Sequence, residues 1–165
     1  MQYEQSVPHP LERVFRFFAN MENLPRIMPR WMDVRLERVD IVPPAGLAEG
    51  ASGATAFCGA GSELEASFRA IPYLPFRIRS VAIITSFEFN KFFEDVQGKG
   101  PFKSWHHRHE FAAEERNGVN GTVIRDIVQY EVGFGVLGTL ANALFIAPQM
   151  RRTFSYRQTA LQKLL

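Results

Sequence analysis

Two histidines spaced two apart, His107 and His109, stand in a strand-like run from Phe102 to Glu114. Alternate residues of a strand share a face. Trp105, His107, His109 and Phe111 therefore point one way, and Ser104, His106, Arg108 and Glu110 point the other. The first set is the more apolar and is expected to face inward. Asn117-Gly118 then favours a two-residue hairpin turn, and the chain should return as a strand over about 121 to 132. The inward set of that strand is Ile124, Asp126, Val128, Tyr130 and Val132, which places one carboxylate among apolar neighbours. With Asn117 and Gly118 at the centre of the turn, Arg116 faces Val119. The same register sets His109 opposite Asp126 and Trp105 opposite Tyr130.

A polar island of His107, His109, Asp126 and Tyr130 in a wall of Phe, Ile and Val is open to several chemistries. A hydrogen-bonded His and Asp pair can be purely structural, since buried polar groups must be paired. A few placed polar groups in an apolar pocket can fix the orientation of a small molecule. An imidazole oriented by a carboxylate can act as a general acid or base, with His109 and Asp126 in those roles. His107-x-His109 could also offer two imidazoles to a metal, but the spacing supplies no third ligand, so neither metal nor cofactor is assigned. Nucleophilic catalysis has little support. Cys58 lies in a stretch of small residues with no histidine near it in sequence, and neither G-x-S-x-G nor a P-loop occurs.

The elements that must position this island fit one domain, 1–165. A hydrophobic fraction of 46% with 22% charged residues is that of a globular chain rather than a disordered one. The net charge of +2 is too small for a nucleic-acid footprint. A single cysteine and a start without a basic, apolar leader suit a reducing, cytoplasmic setting. Fifteen Phe against four Tyr and two Trp suggest a large dry interior, because Phe has no polar atom to satisfy.

A strand is expected over 2 to 7, then a helix begun by Pro10, with Leu11, Val14, Phe15 and Phe18 on one buried face. A short helix or turn between Met21 and Met28 follows, and then a strand from Trp31 to Val42. Residues 50 to 61 read as a loop or weak strand, and further strands are expected at 63 to 71, 76 to 89, 92 to 97 and 102 to 114. From Leu137 to the end, Leu137, Leu140, Leu144, Ala147, Phe154 and Leu161 share a helical face, and Pro148 should kink that helix. The nineteen uncharged residues 132–150 are long enough to span a membrane but are diluted by glycines and polar residues. A buried helix is expected instead. Gly133-x-Gly135-x-x-Gly138 matches a dinucleotide fingerprint, yet no acidic residue follows it, so a tight turn from sheet to helix is the expected role.

Pro10-Leu11-Glu12-Arg13-Val14-Phe15-Arg16-Phe17-Phe18, Asn23-Leu24-Pro25, Pro29-Arg30-Trp31 and Tyr156-Arg157-Gln158 resemble the START-like superfamily, which includes polyketide cyclase/dehydrase-like proteins. Phe93-x-Asp95-x-Gln97-x-x-Gly100-Pro101-Phe102-x-x-Trp105-x-His107-x-His109-x-Phe111, with Gly121-Thr122, Asp126 and Tyr130, looks like its bacterial ligand-binding SRPBCC branch. The resemblance runs nearly end to end. It implies an α+β helix-grip fold, a curved antiparallel sheet around a long C-terminal helix with a cavity between them. By matching positions the candidate ligand-binding residues are Phe93, Asp95, Gln97, Trp105, His107, His109, Asp126 and Tyr130, with Leu140 and Leu144 on the helix side. The stretch Pro72-Tyr73-Leu74-Pro75-Phe76 looks longer than the usual connection. The implied partner is a small hydrophobic ligand such as a lipid, polyketide or quinone, with neither nucleic acid nor stable membrane insertion. An aromatase/cyclase-like enzyme acting through His109 and Asp126, with Tyr130 stabilising an enolate, is the alternative, and a role at a membrane surface is a third.

Overall fold

The computed structural model describes residues 1–44, 57–71, 75–116 and 118–165. Most of the loop expected at 50 to 61, residues 72–74 of the 72–76 connection and Asn117 fall outside them. Among the described residues seven strands form one antiparallel sheet in the order β1-β7-β6-β5-β4-β3-β2. They are β1 (Gln2–Val7), β2 (Arg35–Asp40), β3 (Glu63–Phe68), β4 (Ile78–Glu88), β5 (Phe92–Lys99), β6 (Ser104–Arg116) and β7 (Val119–Glu131). Extra residues at Glu37 in β2, Thr85 in β4 and Gly98 in β5 shift the register and bend the sheet, as extra residues in one strand of a pair do.

Helix α1 (Leu11–Ala19) buries Val14, Phe15 and Phe18, the expected face. Phe15 is fully enclosed, with its ring edge-on to Phe87, Phe89, Phe93 and Phe111 at 5.1–6.2 Å. A short helix α2 (Leu24–Ile27) follows, with Pro25 in its first turn. The strand expected from Trp31 begins only at Arg35, because Arg30–Met32 forms a 3-10 turn ending at Asp33 with φ +44°. Arg77 holds that carboxylate at 2.8 Å and Asp33's carbonyl at 2.6 Å.

The hairpin β6–β7 has the expected register, Arg116 opposite Val119, and Gly118 supplies φ +76° in the turn. The glycine run after β7 makes the turn into the terminal helix. Phe134 and Gly135 are both left-handed, and a Cβ on Gly138 would lie 1.7 Å from the Gly133 carbonyl oxygen.

The terminal helix runs thirty residues from Gly135 to Leu164, as α3 (Gly135–Ala141), a wide π turn (Asn142–Ile146) and α4 (Ala147–Leu164). The deformation expected at Pro148 sits one turn earlier. Ala147 N–H bonds to Asn142 O, five residues back, which leaves Pro148 in the first turn of α4, where its missing donor is tolerated. The extra residue also breaks the shared face. Thr153, Phe154, Arg157 and Leu161 are buried, whereas Leu137, Leu140 and Leu144 are exposed. Sheet, helices α1 and α2, and α4 together form the helix-grip arrangement that the resemblance implies. No described helix is long and apolar enough to cross a membrane.

Candidate functional site

Strands β5, β6 and β7 lie side by side, so residues far apart in sequence meet at fixed pairings. Phe93 faces His109, and Asp95 faces His107, across β5–β6. His109 faces Asp126, and Trp105 faces Tyr130, across β6–β7, as the turn arithmetic requires. The inward alternation puts Phe93, Asp95, Trp105, His107 and His109 on the wall of one cavity of about 490 Å³ between sheet and terminal helix. The rest of that wall is mostly apolar. Phe18, Met21 and Ile27 come from the helices near the N-terminus, Leu64 and Ile84 from β3 and β4, and Phe154 from α4.

The polar end is a closed network. His107 Nε2 is 3.1 Å and His109 Nδ1 is 2.7 Å from the same Asp126 oxygen, the second at an angle too poor for a full hydrogen bond. Arg157, from α4, brings a guanidinium nitrogen to 3.9 Å of that oxygen and lies over the Phe154 ring. Its Nε has no hydrogen-bond partner among the described residues. Asp95 Oδ1 accepts from Trp105 Nε1 at 3.2 Å, while Asp95 Oδ2 stands 3.6 Å from His107 Nδ1 and 3.8 Å from His109 Nε2. The imidazole centroids are 3.8 Å apart.

Burial decides the charge states. It pushes His107 down to about 4, with His109 adding to the shift and Asp126 and Asp95 opposing it, and it lowers His109 as well. Both rings are neutral at pH 7. Burial raises Asp95 against the pull of His107 and Trp105. At Asp126 burial also works upward, but Arg157, His109 and His107 together outweigh it and hold the carboxyl well below the usual range. The network therefore carries one firmly ionised carboxylate, one whose ionisation is disfavoured, one guanidinium and two neutral rings.

The remaining candidates are distributed differently. Gln97 borders the cavity, but its side-chain amide is spent on Phe102, donating to the carbonyl at 2.8 Å and accepting from the N–H at 3.3 Å. It shapes the turn that lets Phe102 stack on Trp105 at 5.2 Å. Asp126 sits behind the imidazoles rather than on the wall. The Tyr130 hydroxyl donates to Asn142 Oδ1 at 2.8 Å, tying β7 to the wide turn. Leu140 and Leu144, 56% and 58% exposed, do not border the cavity. The helical face on which they were placed is out of phase with the buried face of α4, so the candidate set loses both. Phe145, Ile146, Gln149, Met150 and Thr153 line it from that side instead.

Arg157 is the residue that sequence reasoning missed. It had a signal, a charge on the stripe Phe154, Arg157, Leu161 that is otherwise apolar. Cys58 is no nucleophile, because burial pushes its thiol up to about 12.

The family model described as polyketide cyclase/dehydrase and lipid transport matches residues 7–158. No curated protein matches the chain. Among solved structures, a protein of Thermus thermophilus superposes with a TM-score of 0.61 at 16% identity, over 99% of this chain and 94% of that one. A START superfamily protein from Mycobacterium smegmatis gives 0.60 at 13%, over 99% and 94%. A nucleoside-diphosphate sugar epimerase from Corynebacterium glutamicum gives 0.59 at 22%, with 99% of this chain covering only 28% of that one. At these identities the likeness is one of fold.

Proposed function

Because the chain belongs to the polyketide cyclase/dehydrase and lipid-transport family, we propose that it binds one small, mostly apolar molecule between sheet and terminal helix. The ligand is of lipid, polyketide or quinone kind. The observation that carries this reading is the 490 Å³ cavity, apolar over most of its wall and polar at one end. The apolar part of the ligand lies against Phe18, Met21, Ile84 and Phe154. Its polar end meets Asp95, His107, His109 and the indole edge of Trp105, and oxygen functions that exchange hydrogen bonds with carboxyl and imidazole groups are the matching chemistry.

Holding is better supported than turnover. Burial pushes His109, the ring that turnover would need, toward its neutral form, so at neutral pH it has no imidazolium proton to give. The Tyr130 hydroxyl is committed to Asn142, and Tyr130 does not line the cavity in which an enolate would form.

Native mass spectrometry of freshly purified protein, with an organic extract of the same sample, tests the proposal. A stoichiometric apolar passenger, or saturable uptake of a fluorescent fatty-acid or quinone probe that Trp105→Ala weakens, is the expected result. No passenger and no uptake by the folded chain of any probe overturns it.

A further inference from the structure

The polar cluster brings ring nitrogens and carboxyl oxygens to one end of the cavity, in two layers. Asp126 Oδ1 is the nearer acceptor for both rings, 3.1 Å from His107 Nε2 and 2.7 Å from His109 Nδ1. When His107 donates its Nε2–H to Asp126, its lone pair lies on Nδ1, 3.6 Å from Asp95 Oδ2, and His109 Nε2 stands 3.8 Å from that same oxygen. Two ring nitrogens and one carboxyl oxygen thus converge on one point of the cavity wall.

We infer that Asp95 Oδ2, His107 Nδ1 and His109 Nε2 form a binding site for one divalent transition-metal ion of zinc type. The three atoms lie within 4.8 Å of one another. Ligands of a tetrahedral ion with bonds of about 2.0–2.1 Å stand about 3.4 Å apart, so the two edges from Asp95, at 3.6 and 3.8 Å, close by a few tenths of an ångström, and rotation of the rings closes the third. Two imidazoles with one carboxylate suit zinc or ferrous iron rather than magnesium or calcium, which take oxygen ligands. The supporting shell is in place. Asp126 orients His107 through its far nitrogen and lies 2.7 Å from the far nitrogen of His109, and the Trp105 indole orients Asp95, the arrangement by which histidine ligands are held in metal sites.

All three ligands border the cavity, so the open coordination position faces it and would accept an oxygen of whatever the cavity holds. The site is testable with metal alone, independently of any organic ligand.

Untagged protein, stripped with a chelator, is titrated with Zn²⁺ by calorimetry and with Co²⁺ by visible absorption and tryptophan fluorescence. One equivalent per chain is expected, with the intense visible bands of four- or five-coordinate Co²⁺ and quenching of Trp105. Asp95→Asn, which keeps an acceptor for the indole, should lower affinity about 100-fold or more, and His107→Ala with His109→Ala should abolish it. Asp126→Asn should lower it by about 10- to 100-fold, as loss of an orienting partner does. His106→Ala, on the opposite face beside Glu94, should change nothing. Absence of saturable one-equivalent binding, or binding indifferent to Asp95→Asn in a variant with unchanged circular dichroism, overturns the inference. Equal loss in His106→Ala does so as well.

Discussion

The strands that build the cavity present two different interiors within a few residues of each other. Around Phe15, side chains from α1, β4, β5 and β6 meet as edge-to-face aromatic rings, and nothing polar needs an answer. Two positions further along β5, and two and four along β6, the same inward face carries Asp95, His109 and His107 in place of Phe93 and Phe111. The aromatic end is stabilised by burial alone, and any well-packed apolar residue would serve there. The polar end must overcome desolvation, and it does so only as a closed set. Arg157 and two imidazoles answer Asp126, while Asp95 is answered by one indole N–H. What separates the two regions is the cost of removing a single member. A hole in the aromatic end loses packing, whereas a gap in the polar end strands a charge.

That contrast is tested by two substitutions of similar size and different remedy. Phe15→Ala should destabilise the fold by about 3–5 kcal/mol through lost burial and the cavity it leaves. Arg157→Met should cost about 3–5 kcal/mol because it leaves Asp126 ionised, buried and short of its cation. Only the second should be repaired by a further change. Asp126→Asn added to Arg157→Met should recover most of the loss, since a buried charge pair replaced as a unit is often neutral. Denaturant unfolding of the two singles and the double measures this. Additive losses in the double would mean that the polar end is packing like the other.

Acid should separate the two ends next. His107 is lowered from 6.5 to about 4 in the folded chain, so between those values the unfolded chain binds the proton and the folded chain does not. Stability from this group is complete above about pH 6.5 and falls as pH drops toward 4, by on the order of 3 kcal/mol at most. His109, lowered by the same burial, adds to the slope, and the depressed Asp126 extends it to lower pH. Thermal melts from pH 7.5 to 4 should show this fall in the wild type and a shallower one in His107→Leu. A parallel pair of curves would place the acid sensitivity elsewhere.

How much of this was legible in the sequence follows from how local each fact is. Asn117-Gly118 fixes a two-residue turn, and from it the pairing of His109 with Asp126 is counted directly along two strands. The pairing of Asp95 with His107 crosses the irregular stretch 100–103, where Gln97 binds Phe102 and no count carries over. Asp95 was therefore reached through family resemblance alone. Helix α4 closes on the sheet from 153 residues away, with Gln5 donating to Gln158 O, so nothing local placed Arg157 beside Asp126. Leu140 and Leu144 were misassigned because one extra residue in the wide turn rotates α3 out of phase, and an apolar spacing pattern does not record the width of a turn.

The smallest expected stability effect is the most informative, because it asks whether the polar end contains a residue kept for something other than the fold. Asp95 is that residue. Burial raises its carboxyl, which means that ionisation there opposes folding at neutral pH, and its only hydrogen bond among the described residues is from Trp105. Asn at this position keeps an acceptor for the indole and removes the buried charge. Asp95→Asn should therefore leave stability within about 1 kcal/mol of the wild type, or raise it, while impairing whatever binds at the polar end. Removing a charge that only harmed the fold would be neutral for binding too, and removing a structural linchpin would unfold the chain. A stable protein with an intact aromatic end and a silent polar end would instead show that the desolvation of Asp95 is retained for the sake of its ligand.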